Sequence, residues 1–429
     1  MLRVMRGMSV AVVAGAMVAL TATSSSGAAA ARPATERVTL SATGEQADAN
    51  AYGPQFSADG RFALFTAYAS NLVPGDTNRS ADVFVRDLRK GTVERVDVAS
   101  DGAQAAGGDS EARAISADGR YVLFSSNARN LVHWDHPPTN EAAQDIYLHD
   151  RRTGRTERIS VALDGGSAFT GNATMTPNAR YIAFNAKADR METNPRDLFG
   201  IVYLLDRRTG TVERISNRDR PDNPSLLQGL SDNGRYVAYT QLVPRSSYGR
   251  TWVHDRRTGT EEQVNVKPDG TPAQRYALPA SLSADGRTIA FSYWGDEELV
   301  PGEDPGTGST VYVRDLRQDV TRRVKAGPAG EDGISEPVLS PDGRYVTYQA
   351  QPRPAGGRLG PDNVYLRDLR TGSTRLVSES VAGGPVTDAS VAVYAVSAGA
   401  HRIGLGSESS QLVAGDTNGF YDGFVRRLP

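Results

Sequence analysis

Cysteine is absent from all 429 residues. That excludes disulfides, thiol nucleophiles, thiolate metal sites and a lipid-modified cysteine, so any attachment to an envelope is noncovalent. Charge of one sign is also missing. The formal net charge is −2, which gives no electrostatic case for nucleic acid or an anionic membrane as partner. Histidine is scarce, at 5 residues. His133-Trp134-Asp135-His136 offers two imidazoles and a carboxylate, but in a proline-rich insertion without a partner motif. No Gly-x-Ser-x-Gly elbow, His-Glu-x-x-His pair, phosphate-binding loop or dinucleotide fingerprint occurs.

Long hydrophobic runs are missing too, with one short exception at the start. Arg3 and Arg6 precede an apolar run from Met8 to Leu20, and Gly27-Ala28-Ala29-Ala30-Ala31 follows. A basic flank, a short apolar run and small residues describe a cleaved export signal, and the run is too short to span a bilayer. Residues 1–31 are therefore expected to be removed. Residues 32–429 are expected to form one exported domain, a monomer with no transmembrane segment.

What the chain has is a repeat. A Ser-x-Asp-Gly-Arg signal, more or less altered, starts at Ser57, Ser116, Thr176, Ser231, Ser283, Ser340 and Ser397, about 57 residues apart. Asp-Gly between apolar runs marks a hairpin, because both residues tolerate positive φ. A short apolar strand follows, such as Phe62 to Phe65 or Tyr121 to Phe124. A third strand comes next (Asp82 to Leu88, Asp145 to Arg151), then a Thr-Gly or Lys-Gly turn and a short fourth strand such as Thr156 to Ser160. Four strands per unit without helical periodicity describe a propeller blade. The last unit lacks its fourth strand, and Thr35-Glu36-Arg37-Val38-Thr39 matches Thr156-Glu157-Arg158-Ile159-Ser160 in type. The expected fold is all-β, a seven-bladed propeller of four-stranded antiparallel blades whose last blade is closed by the N-terminal strand. Blades 3 and 7 carry Asn178-Ala179 and Gly399-Ala400 in place of Asp-Gly.

Ser340-Pro341-Asp342-Gly343-Arg344-Tyr345-Val346 and its relatives resemble the WD40-like, or PD40, repeat of TolB-type propellers, over essentially the whole mature chain. They are similar also to the propellers attached to prolyl-oligopeptidase-type peptidases, without the hydrolase domain. TolB proteins are periplasmic and bind partner proteins. They usually have six blades and an extra N-terminal domain, so the resemblance implies a secreted TolB-like propeller and not a Tol-system component.

Two loops invite a metal. Asp76-Thr77-Asn78-Arg79-Ser80-Ala81-Asp82 recurs as Asp416-Thr417-Asn418-Gly419-Phe420-Tyr421-Asp422. Asp76, Asn78 and Asp82, and Asp416, Asn418 and Asp422, set three oxygen donors in one short loop, which suits calcium. The alternative is that the first Asp makes an Asx turn and the last opens the third strand. The repeated Arg of the turn and the Asp ending the third strand (Asp87, Asp150, Asp206, Asp255, Asp315, Asp368) read as structural. His149 and His254, in third strands, read as surface-facing. The functional expectation is a noncatalytic propeller that binds a protein or envelope ligand. The alternative is an extracellular hydrolase or lyase acting on carbohydrate, lactone or peptide at the channel mouth.

Overall fold

The Ser-x-Asp-Gly-Arg signal builds the turn it predicts. In blade 1 it joins Ala51–Phe56 to Phe62–Ala67. Ser57 Oγ donates to Asp59 Oδ1 at 2.7 Å and accepts from Phe62 N at 3.0 Å. Gly60 then closes the turn at φ 65°. A second reason for glycine appears at Gly119, where a Cβ would lie 2.2 Å from the Phe62 ring of the preceding blade. Blades 3 and 7 make the same hairpin with Ala179 and Ala400 at φ 53°, so both departures are accommodated with strain.

The computed structural model describes residues 34–429 except 135–142, 169, 192–199, 217–222, 244–248, 276, 304–307, 326–331 and 353–358; the export-signal segment lies outside it. It shows seven four-stranded antiparallel sheets, six of them each built from one repeat. The seventh runs Ala34–Arg37, Asp422–Arg427, Arg402–Ser407, Val391–Val396, so the N-terminal strand completes the last blade as expected. Its register sets Ala34 opposite Arg427 and Arg37 opposite Phe424.

Each sheet buries both faces of its middle strands against neighbouring blades. At the centre of four sheets the second and third strands stack rings on each other: Phe65 with Phe84, Phe124 with Tyr147, Phe291 with Tyr312 and Tyr348 with Tyr365, at centroid distances of 5.6, 5.5, 5.8 and 5.7 Å.

The turn arginine is structural. Arg61 donates twice to Asp87 Oδ2, at 3.0 and 2.6 Å, and Arg120, Arg180, Arg235 and Arg344 pair likewise with Asp150, Asp206, Asp255 and Asp368. The Arg61 guanidinium holds the Asp87 carboxyl down at about 2. The same arginines stack on the next residue in sequence, and a second arginine from the following blade covers the other face. Phe62 lies 4.6 Å from both Arg61 and Arg151, and Tyr121 lies 4.6 Å from Arg120 and 4.9 Å from Arg207. Blades 2, 3 and 4 supply this second arginine (Arg151, Arg207, Arg256); Leu88, Leu316, Leu369 and Leu428 take its place in the others. Half the ring is seamed by cations over rings, the other half by apolar packing.

His149 and His254 are not surface-facing. Their exposures are 5% and 0%. The third strand is covered by the fourth and by the loop of the preceding blade: His149 Nδ1 sits 2.9 Å from Thr156 Oγ1, and that hydroxyl donates to Val98 O of blade 1. Arginines in the same slot reach the same loops, as Arg86 does to Leu40 O at 2.6 Å. The slot is an inter-blade seam, which the sequence of one blade does not display.

Candidate functional site

The seven first strands line a central channel. Residues at their starts sit at one mouth, with Tyr52 opposite Thr66, Glu111 opposite Ser125, Leu226 opposite Thr240 and Ala392 opposite Gly406. Several of these strands are bulged, between Ala112 and Ala114 and between Val393 and Ala395 among others. A bulge leaves one residue out of the ladder and re-aims it. Arg113 and Tyr394 are such residues.

Between blades 7, 1 and 2 this arrangement opens a cleft of about 470 Å³, lined among others by Tyr52, Tyr68, Asp109, Glu111, Gln144 and Tyr394. Tyr52 and Tyr68 are 36% and 47% exposed. Tyr52 stacks on Tyr421 at a centroid distance of 5.1 Å, and the Tyr421 and Tyr394 hydroxyls are 3.4 Å apart. Gly406 makes that pairing possible, since a Cβ there would lie 2.6 Å from both rings. Burial raises the Tyr394 and Tyr421 phenols, and burial with the nearby Asp109 raises that of Tyr68. All three therefore stay neutral at physiological pH. Arg113 is half-buried and donates to Glu111 Oε2 at 2.5 Å and to Ser125 Oγ at 3.1 Å. On blade 6, Glu336 is held at φ 54° in a bulge; water reaches it from the channel, yet the surrounding strands desolvate its carboxyl and raise it. Trp294, 60% exposed, follows the second strand of blade 5 as Tyr68 follows that of blade 1.

The two Asp/Asn loops reach the cleft through Ala81 and Tyr421, while their carboxylates meet arginines of the fourth strands of blades 1 and 7. The structure does bring each trio together, around an arginine. Arg95 Nη1 is 3.4 Å from both Asp76 and Asp82, and Arg37 Nη2 is 2.6 Å from Asp416, with Nη1 3.5 Å from Asp422. Asn78 donates to Asp82 Oδ1 at 2.8 Å and to Ala105 O at 3.0 Å; Asn418 does the same to Asp422 and Ala47 O, at 2.9 and 3.0 Å. The amides thus face the carboxylates with their NH₂ ends, and the guanidinium sits where a cation would. Among the described residues no group of three or more His, Asp and Glu is arranged to hold a metal. In the His133–His136 insertion, Asp135 and His136 lie outside the described residues; Trp134 packs under Arg158 at 3.9 Å.

The sequence reading singled out none of Tyr68, Tyr394 and Tyr421. The available signal was the second loop, where Phe420-Tyr421 replaces Ser80-Ala81 before the closing Asp.

No protein-family model matches the chain, and no curated protein sequence matches it. Solved structures do. An oligogalacturonate lyase from Vibrio parahaemolyticus aligns over 92% of this chain and 93% of its own, at 12% identity and a TM-score of 0.57. Another oligogalacturonate lyase structure, in complex with manganese, aligns at 12% identity and 0.54, over 92% and 93%. The β-propeller domain of the Trilobed protease from Pyrococcus furiosus covers 88% and 95%, at 11% and 0.53. A putative TolB from Agrobacterium tumefaciens covers 81% and 98%, at 16% and 0.42. The likeness to the lyases and the protease domain is one of fold, a β-propeller.

Proposed function

We propose that the protein is an exported, noncatalytic TolB-like propeller that binds a protein or cell-envelope ligand at the tyrosine-rich channel mouth. The observation that carries this reading is the pair of solvent-open rings, Tyr52 and Tyr68, beside a cleft of about 470 Å³. Exposed aromatics at the edge of a preformed concavity are what a recognition site needs: large apolar area, few rotamers and a polar tip. The remaining large side chains of the middle strands are spent on packing between blades. Export rests on Arg3, Arg6 and the Met8 to Leu20 run, and among the described residues no helix is long and apolar enough to cross a membrane.

The test is capture from an envelope and secretome extract with residues 32–429 as bait, beside the Tyr52→Ala/Tyr68→Ala variant. A specific partner retained by the first and reduced at least ~10-fold on the second supports the reading. Equal capture by both places the binding surface elsewhere.

A further inference from the structure

We infer that the tyrosine-rich mouth recognises an organic cation: an ammonium or guanidinium head carried on an alkyl chain. This rests on the binding reading above and names its chemistry.

Three features of the cleft converge on that chemistry. Aromatic faces carry negative potential, and Tyr52, Tyr68 and Tyr394 present such faces to one space. The Tyr68 and Tyr394 phenols are held neutral by burial, and the phenols of Tyr52 and Tyr68 make no hydrogen bond among the described residues. They therefore offer oxygen lone pairs to a donor without competing for it.

The charges around the rings leave a negative surplus. Asp109 and Glu111 line the cleft, and Glu408 lies close enough to Tyr421 to raise its phenol. The one arginine among them, Arg113, is paired with Glu111. Asp109 accepts Ala81 N at 2.9 Å and has no cationic partner among the described residues, and neither has Glu408. An anion entering the cleft meets carboxylates. A neutral sugar finds rings to stack on and leaves the surplus charge uncompensated. A cation satisfies both features, and the cleft volume admits its head together with several methylenes of its chain.

Lysine and arginine side chains of a polypeptide present this chemistry, and so do free quaternary amines. Calorimetric titration of the intact mature protein separates them. The probes are N-acetyl-lysine methylamide, N-acetyl-arginine methylamide, choline, and the neutral controls N-acetyl-alanine methylamide and cellobiose. The expected result is binding of a cationic probe with a dissociation constant on the order of 1 mM, weakened about tenfold in Tyr52→Ala and severalfold in Glu408→Gln. Both variants are surface changes, and an unchanged denaturation midpoint confirms that they fold. The amino-acid probes binding more tightly than choline identifies a polypeptide source; the reverse order identifies a small quaternary amine.

Binding of cellobiose without binding of any cation overturns the inference, as does cation binding that neither variant weakens. If the captured partner is lost in Tyr52→Ala/Tyr68→Ala but no cationic probe binds, the cation falls and the binding reading stands. If capture is unmoved and no cation binds, both fall.

Discussion

Blades 1 and 7 carry nearly the same loop, yet the two clusters built on it differ in what surrounds the arginine. In blade 7 the strand-opening Asp422 meets the hydroxyl of Thr39, which donates to it. In blade 1 the residue at that place is Asp97, fully buried, with Oδ1 accepting Val83 N at 3.0 Å and the rest of its carboxyl against Asp82. Blade 7 thus sets two carboxylates about one guanidinium, and blade 1 sets three carboxyls about one. Burial and Asp82 push the Asp97 carboxyl well up, so it carries a proton, and Asp76 is pushed up to about 6. The comparison teaches that one loop motif gathers a smaller or a larger set of carboxyls beside its arginine, according to a single residue on the neighbouring strand.

The largest expected effect comes from removing the arginines. Arg37→Met leaves Asp416 and Asp422 buried without their cation and loosens the strand that closes the ring. A loss of about 3–5 kcal/mol in denaturant unfolding is expected. Arg95→Met costs roughly half as much, because Asp76, already pushed up to about 6, can take up a proton in place of the lost charge. Equal losses would break the comparison.

Asp97→Asn sharpens it. The amide keeps the acceptor for Val83 N and replaces the proton with an N–H toward Asp82. A carboxyl whose folded value lies above its unfolded one binds extra protons when folded, so its contribution falls as pH rises. Between pH 4 and 7 the blade-1 cluster therefore loses stability as pH rises. Asp97→Asn is expected to flatten that decline in melts run across the interval; a decline of unchanged slope would assign it to other groups. The Arg61–Asp87 pairs act in the opposite sense, their depressed carboxyls losing stability only as pH drops toward about 2.

The smallest effect concerns calcium. With Arg37 and Arg95 filling the clusters, millimolar calcium or a chelator is expected to leave the melting midpoint unchanged. A rise of several degrees with calcium would restore Asp76, Asn78, Asp82, Asp416, Asn418 and Asp422 as metal ligands.

The parts of the molecule legible in the sequence are those whose chemistry is local. Ser57, Asp59, Gly60 and Phe62 lie within one turn, and the unused Thr35–Thr39 strand matches its counterparts residue by residue. The cleft is different. Tyr52 and Tyr421 stand at opposite ends of the chain and meet only because the ring closes, and Tyr394 faces them because a bulge takes it out of register. Asp416 and its arginine are likewise joined through closure, so the loop reads as an open set of donors until Arg37 is seen among them. His149 was misread for the same reason: its cover comes from the preceding blade.

The closing strand also fixes a sequence of events. Ala34–Arg37 leaves the ribosome long before its partner Asp422–Arg427. Six blades can assemble while synthesis continues, but the seventh waits for both strands. Tyr52 stacks on Tyr421 across that same junction, so the mouth of the channel is completed at the moment the ring is sealed. A chain that lacks either of these strands leaves the ring open at the junction where the mouth is built.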